Sequence, residues 1–368
     1  MASLAIKGLM KTNLKEWGFP VDRIFLAAGP CSAESREQVL ECAKALSTGG
    51  LSFLRAGIWK PRTRPGSFEG VGLKGLAWMD EARTETGLKI GTEVAEAAHV
   101  EACLEYGLDI LWIGARTSTN PFSVQAIADA LRGTDIPVLV KNPMNADVGL
   151  WMGAIERLAN AGITKLGAIH RGFSSELEMR YRNAPNWKAP IELKRRMPDI
   201  PMICDPSHIC GKRDLIPAVA QEALDLLFDG LMLEVHPDPS VALSDADQQL
   251  TPEQFFSLVN SLKLSHEQSD SAAFAARMRE LRETVDGLDS QLLAVLSQRM
   301  DIVCKMGELK TEQNVSTFQP RRWQEIVDDR VAKGTGFDLS ESFVLQLMQS
   351  IHEEAIRQQE IRRVGGAE

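Results

Sequence analysis

No apolar run in this chain approaches the roughly 18 residues a helix needs to cross a bilayer, so no membrane partner is expected. The first residues, with Lys7, Lys11 and Lys15 scattered among them, lack the apolar stretch of a secretory signal, and a cytoplasmic location follows as the expectation. Positive charge is in deficit: 41 Lys and Arg stand against 50 Asp and Glu, a net charge of −9, which argues against a general nucleic-acid binder. An acidic metabolite would have to be held by local clusters of cations. The six cysteines (31, 42, 103, 204, 210 and 304) form no close pairing motif, so reduced thiols are expected, and Asn314-Val315-Ser316 is an unused glycosylation match. A cysteine here does chemistry as a ligand or not at all. Low-complexity tracts are missing too.

What is present is ordinary globular composition, 44% hydrophobic and 25% charged, in 368 residues, enough for a barrel of roughly 250 and a smaller second domain. Eight short apolar runs punctuate the first 235 residues: Phe25–Ala28, Phe53–Ile58, Lys89–Val94, Ile110–Gly114, Pro137–Lys141, Lys165–Ile169, Pro201–Cys204 and Gly230–Val235. Rich in aliphatic residues and mostly bounded by Gly, Pro or Asp, each reads as a buried parallel strand. Amphipathic stretches such as Ser35–Leu46, Ala97–Tyr106 and Val148–Ala159 alternate with them. The pattern predicts an α/β fold, a (β/α)8 TIM barrel over residues 1–264. A polar segment, 265–273, reads as a linker. Beyond it Leu281, Val285, Leu288, Leu292, Val295, Met300, Val303 and Met306 recur at helical steps with no proline before Pro320, predicting one helix of about 40 residues. Helical patterns at Arg322–Ala332 and Ser340–Ile361 complete an all-α domain over 274–368.

At or just past the end of each barrel run stands one polar residue: Cys31, Arg55, Glu93, Arg116, Lys141, His170, His208 and Glu234. Catalytic groups of a (β/α)8 barrel gather on that rim, because the βα loops converge there. Cys31, His208, Glu234 and either Asp245 or Asp247 come from runs one, seven and eight, neighbours in a closed barrel. One thiolate, one imidazole and two carboxylates suit a divalent transition metal, Mn, Fe, Co or Zn, better than Mg or Ca. Arg55, Lys60, Arg62, Arg116, Lys141 and Arg171 add a cationic lining for several anionic groups, and a lysine among them can also move a proton. Small phosphorylated acids or sugars are the expected ligands, with Arg195, Arg196 and Lys212 left as solvated charge. Gly70-Val71-Gly72-Leu73-Lys74-Gly75 matches a dinucleotide fingerprint but follows a loop, not a strand, and reads as loop support.

The motifs Gly29-Pro30-Cys31-Ser32, Lys60-Pro61-Arg62-Thr63, Gly114-Ala115-Arg116-Thr117, Lys141-Asn142, His170-Arg171-Gly172, Asp205-Pro206-Ser207-His208 and Glu234-Val235-His236-Pro237 closely resemble type I-beta 3-deoxy-D-arabino-heptulosonate 7-phosphate (DAHP) synthase over about residues 20–262. The resemblance implies condensation of phosphoenolpyruvate with erythrose 4-phosphate, a metal with manganese foremost on Cys31, His208, Glu234 and Asp245, and phosphoenolpyruvate on Arg55, Lys60, Arg116, Lys141 and Arg171, with His170 also among the substrate-binding residues. It also implies that Arg62 and Thr63 hold the sugar phosphate, that Lys60 protonates the developing alkoxide, and that Glu93 orients the attacking water or serves in a structural ion pair. The sister octulosonate phosphate synthases differ at Lys-Pro-Arg-Thr.

On the long helix Arg299 and Lys310, 11 residues apart, share a face. Arg282, 17 residues before Arg299, lies about 25 Å away and roughly 100° round, so it cannot join them in one small site of its own subunit, and an antiparallel partner helix could supply it. A homodimer is expected. Residues 274–361 resemble the all-helical chorismate mutases, at Leu281-Arg282, Leu288-Asp289, Arg299, Gly307, Lys310, Arg322 and Gln359. That resemblance implies chorismate-to-prephenate isomerisation in an intertwined dimer, with Arg282, Arg299 and Arg322 on the two carboxylates and Lys310 and Gln359 on the ether oxygen. The chain departs from that family at Gln319, Trp323 and Ala355. The alternative for this half is a non-catalytic dimerisation module that senses chorismate or prephenate; for the barrel, an octulosonate phosphate synthase or a metal-dependent sugar-phosphate aldolase.

Overall fold

Strands buried on both faces need side chains that pack in either direction, and the aliphatic runs supply them. In the computed structural model, which describes residues 13–60, 68–174, 180–265 and 271–365, they form β1 (Phe25–Gly29), β2 (Phe53–Arg55), β3 (Ile90–Val94), β4 (Ile110–Ile113), β5 (Val138–Lys141), β6 (Leu166–His170), β7 (Met202–Cys204) and β8 (Gly230–Glu234). Each pairs in parallel with the next, and β8 returns to β1 in register from Phe25 opposite Gly230 to Gly29 opposite Glu234, closing the barrel. The chain divides into two compact units, residues 1–267 and 268–368.

Side-chain alternation then decides which groups face inward. Phe25, Phe53, Ile110, Trp112, Leu139, Ile169, Ile203 and Met232 fill the barrel, and Leu14, Trp17 and Phe19 pack into the same cluster from the turn before β1. Two residues further toward the C-terminal mouth, the inward positions are polar: Arg55 after Phe53, Lys141 after Leu139, Arg171 after Ile169, Asp205 after Ile203 and Glu234 after Met232. Odd and even positions thus separate an apolar core from a charged mouth within a few ångströms.

The surrounding helices follow the sequence pattern closely at Arg36–Leu46, where Ser35 caps the N-terminus by accepting from the Gln38 N–H, and at Leu73–Thr86, Ala97–Glu105, Pro121–Ala130, Val148–Asn160 and Ile216–Asp225. Two went unforeseen. Lys188–Arg196 buries only Ala189, Pro190 and Leu193, too few for a visible period, and Pro206–Cys210 is a single turn capped by Asp205. In the glycine-rich segment, Gly70 has a φ of +97° and a Cβ there would stand 2.1 Å from the Ile58 carbonyl oxygen, while Gly72 precedes the helix Leu73–Thr86. Gly70 serves close packing just after β2, and Gly72 a positive φ, +63°, ahead of the helix.

Among the described residues the second unit has three helices, Ala272–Glu312, Pro320–Thr335 and Glu341–Gly365. They touch closely at glycines: a Cβ on Gly307 would meet Gln359 at 2.7 Å and one on Gly334 would meet Val344 at 2.3 Å. The long helix leaves Leu281, Val285, Leu288, Leu292 and Val295 exposed. No helix among the described residues is long and apolar enough to cross a membrane.

Candidate active sites

At the barrel mouth, buried opposite charges neutralise one another in a ring. Lys141 Nζ donates to Asp205 Oδ2 at 2.9 Å, and the other contact of that oxygen is His208 Nδ1 at 2.8 Å. Burial alone would raise the Asp205 carboxyl, yet His208 and Lys141 beside it hold it well below the usual range. Burial lowers His208 in spite of Asp205, and the ring turns Nε2 toward Glu234 Oε1, 3.7 Å away. Arg55, 2% exposed, pairs with the same Glu234 oxygen at 3.3 Å and lies over the Trp112 ring, its guanidinium carbon 5.2 Å from the ring centre. Gln248 Nε2 donates to the second Glu234 oxygen at 2.6 Å.

The thiol of Cys31 is pushed up to about 12, first by burial and then by Glu234. Its sulfur accepts from Lys60 Nζ at 3.0 Å and lies 3.3 Å from Asp245 Oδ2. Asp245 sits at φ +48°, ψ +41°, a left-handed conformation that costs a non-glycine residue energy and recurs at functional loops. Arg182 Nη1 donates to its other oxygen at 2.8 Å. Among the described residues no three His, Cys, Asp or Glu side chains stand close enough together to hold a metal as they are. The four residues expected as ligands are instead paired off, Cys31 with Asp245 and His208 with Glu234, with Lys60 and Arg182 supplying positive charge. The donor set still fits a transition ion: a thiol, an imidazole oriented by a carboxylate through its far nitrogen, and two carboxylates, one of which, Glu234, has a buried oxygen with no hydrogen-bond donor.

Around this centre Glu93 accepts from Trp112 Nε1 at 2.9 Å and approaches Gly114 so closely that a Cβ there would stand 2.1 Å from Glu93 Oε1. Arg171, lowered to about 10 by burial, donates to Asn183 Oδ1 at 2.8 Å. Arg116 is exposed at the rim. Arg62 and Thr63 lie outside the described residues.

In the helical unit a cavity of about 480 Å³ is lined by Arg299, Lys310, Arg322, Arg330 and Gln359. Lys310 Nζ donates to the Thr317 carbonyl at 2.8 Å, and Arg322 pairs with Glu325 at 3.0 Å. Burial and then Arg330 lower the Arg299 guanidinium. Arg282 is exposed and does not line the cavity.

Residues 21–270 match the model of the DAHP synthetase I family, more than half of the chain. The chain belongs to that family. Residues 281–360 match the chorismate mutase type II model, so a mutase domain follows the synthase barrel. The chain is 37% identical over 238 residues to the phospho-2-dehydro-3-deoxyheptonate aldolase of Thermotoga maritima, covering 65% of this chain and 68% of that protein. It is 26% identical over 260 residues to the 2-dehydro-3-deoxyphosphooctonate aldolase of an Azoarcus strain, covering 65% and 90%. The solved Thermotoga maritima DAHP synthase superposes with a TM-score of 0.58 at 35% identity, over 64% of this chain and 67% of that one. A truncated form of the Thermotoga enzyme gives 0.56 at 30%, over 71% and 87%.

The synthase barrel brings together Cys31, Arg55, Lys60, Lys141, His208, Glu234 and Asp245, with Glu93 and Arg171 beside them. His170 is the correction. As the residue after the inward-facing Ile169 it points the other way, into the layer behind the barrel, where its ring lies 5.1 Å from Trp187, 5.6 Å from Phe173 and 6.1 Å from Phe228. Burial pushes it down to about 3, and it packs as a neutral ring rather than facing the mouth. Four polar residues of the mouth were given no role from sequence: Asp205, Arg182, Asn183 and Gln248. Asp205 could have been found as the inward residue two after Ile203; the others come from loops without periodicity. In the mutase domain the residues missed are Arg330, which adds a fourth cation to the cavity, and His352, which lines it on one helix face with Ala355 and Gln359.

Proposed function

We propose that the barrel condenses phosphoenolpyruvate with erythrose 4-phosphate to DAHP and inorganic phosphate, and that the helical domain isomerises chorismate to prephenate. The observation that carries the first half is the ring Lys141–Asp205–His208–Glu234–Arg55, buried cations set beside a soft and hard donor set at the barrel mouth. Arg55, Lys141, Arg171 and Arg116 offer fixed positive charge for the phosphate and carboxylate of phosphoenolpyruvate, holding two mutually repelling phosphorylated substrates together. Lys60 gives its proton to the aldehyde oxygen as the new carbon–carbon bond forms, and Glu93, held by Trp112, orients the water that adds at C2 before phosphate leaves. Cys31, His208, Glu234 and Asp245 would hold a divalent metal, manganese foremost, which supplies Lewis-acid polarisation of the aldehyde. Phosphate release with the four-carbon sugar, compared with arabinose 5-phosphate, tests the assignment; release with only the five-carbon sugar would favour the octulosonate reaction.

For the helical domain the supporting observation is a cavity with four cations and, among the described lining residues, no carboxylate. Such a site suits a dicarboxylate, with Lys310 and Gln359 turned to the ether oxygen and catalysis by restraint and charge stabilisation. The exposed apolar row from Leu281 to Val295 supports a homodimer in which Arg282 is contributed in trans. Prephenate bound in this domain is further proposed to inhibit the barrel in a cytoplasmic, feedback-controlled enzyme; inhibition that survives deletion of residues 268–368 would refute it.

A further inference from the structure

Among the described residues of the helical unit, three buried polar atoms have no hydrogen-bond partner within the protein, and the residues that carry them, Arg299 (Nη1), Gln359 (Oε1) and His352 (Nε2), line one cavity. An unpaired buried donor or acceptor destabilises a fold, so three converging on one space mark where a ligand's polar groups go. Arg299 and Gln359 already have roles in the proposed isomerisation. His352 has none.

We infer that His352 is a specificity-determining residue of this cavity, its Nε2 taking the ring hydroxyl of the bound dicarboxylate while Trp323 holds the imidazole plane. The inference rests on the chorismate reading above. Chorismate presents two carboxylates, an ether oxygen and one ring hydroxyl. Arg299, Arg322, Arg330 and the partner's Arg282 answer the carboxylates, and Lys310 and Gln359 the ether oxygen, leaving the hydroxyl without a charged partner. No described lining residue is an Asp or Glu, Gln298 and Gln319 are exposed, where water competes for their amides, and besides His352 the uncharged polar lining offers Thr317, whose carbonyl is already taken by Lys310 Nζ. The His352 ring is stacked on Trp323, centroids 4.2 Å apart and planes 19° from parallel, with Phe318 at 5.8 Å. Stacking fixes the direction in which the ring nitrogen points. Burial lowers the imidazole, as do Arg299 and Lys310 on the long helix, against Glu353 on its own helix. A neutral ring can exchange a hydrogen bond with a hydroxyl through Nε2 in either tautomer. A site atom left unpaired by a ligand without that hydroxyl is the physical basis for discrimination.

The test uses the full-length chain and chorismate kinetics, with phosphate release by the barrel as the folding control. His352→Phe keeps the stack and removes the nitrogen; His352→Gln restores a polar atom at similar reach. The Phe variant is expected to raise KM for chorismate about tenfold while kcat stays within about threefold, as loss of one hydrogen bond made equally in ground and transition states requires, and the Gln variant to recover most of it. A chorismate analogue lacking the ring hydroxyl should bind the Phe variant at least as tightly as wild type, whose Nε2 it leaves unpaired. An unchanged KM in the Phe variant of a protein whose wild type turns over chorismate overturns the inference alone. Equal loss in both variants, with a lowered melting temperature, assigns His352 to packing and overturns it as well. A wild type that neither binds nor converts chorismate refutes the mutase reading itself, and this inference with it.

Discussion

Replacing His170 by Phe separates a packing histidine from a binding one. The folded imidazole sits at about 3, against 6.5 for a free one, because the aromatic layer of Trp187, Phe173 and Phe228 excludes water. The folded value is the lower, so in the window between the two the unfolded chain binds more protons. The contribution is whole above about 6.5 and is lost as pH falls toward about 3. At about pH 5 the unfolded state carries nearly one extra proton, and integrating one pKa unit as 1.36 kcal/mol gives a loss of about 2 kcal/mol relative to neutral pH. His170→Phe should remove that loss. Whatever the larger ring costs in packing, about 1–3 kcal/mol, is the same at both pH values and cancels in the difference, as do the contributions of His208 and His99, which are present in both proteins. Urea unfolding followed by tryptophan fluorescence at about pH 7.5 and pH 5 measures it. Equal acid sensitivity of wild type and variant would refute the burial argument. A large rise in KM for phosphoenolpyruvate at neutral pH would return His170 to the substrate site.

Further perturbations probe the mouth and the division of labour. Gly114→Ala should break the Glu93–Trp112 hydrogen bond, because the added methyl would stand 2.1 Å from the carboxylate; kcat for phosphate release is expected to fall about 10- to 100-fold, and a fall of less than about threefold would show that Glu93 does not position the water. Lys141→Met removes the lysine partner of the fully buried Asp205, leaving it His208, and should cost about 3–5 kcal/mol in unfolding experiments, most of it recovered by adding Asp205→Asn; no recovery would mean that the pair is not what holds this region. Cys31→Ala should abolish bound metal, measured by elemental analysis, together with phosphate release, while sparing chorismate loss. Arg299→Ala should do the reverse, and loss of both activities in either variant would point to misfolding or to obligate dependence of one domain on the other.

Much of this was legible in the sequence because parallel strands buried on both faces are continuous apolar runs, and a charged residue at the end of such a run is conspicuous. Arg55, Lys141 and Glu234 were found that way, and all three lie on the inward parity set by Phe53, Leu139 and Met232. His170 was misjudged because position along the strand was read and parity was not. Asp205 was overlooked for the complementary reason: its parity is right, but it follows a three-residue strand and opens a one-turn helix, so it reads as a cap. Arg182 and Gln248 reach the mouth from loops, where spacing carries no information. In the helical domain a face of cations is easily found on one long helix, but a cavity among three helices needs their crossing geometry. His352 lies three and seven residues before Ala355 and Gln359, a spacing that did point to the same face.

The central claim is two reactions in one chain, and one sample tests it: metal-reconstituted protein assayed for phosphate release from phosphoenolpyruvate with erythrose 4-phosphate, beside arabinose 5-phosphate, and then for chorismate disappearance. The account predicts release with the four-carbon sugar and loss of chorismate. No release with either sugar would contradict the barrel assignment, and release without chorismate loss would reduce the helical domain to a sensor.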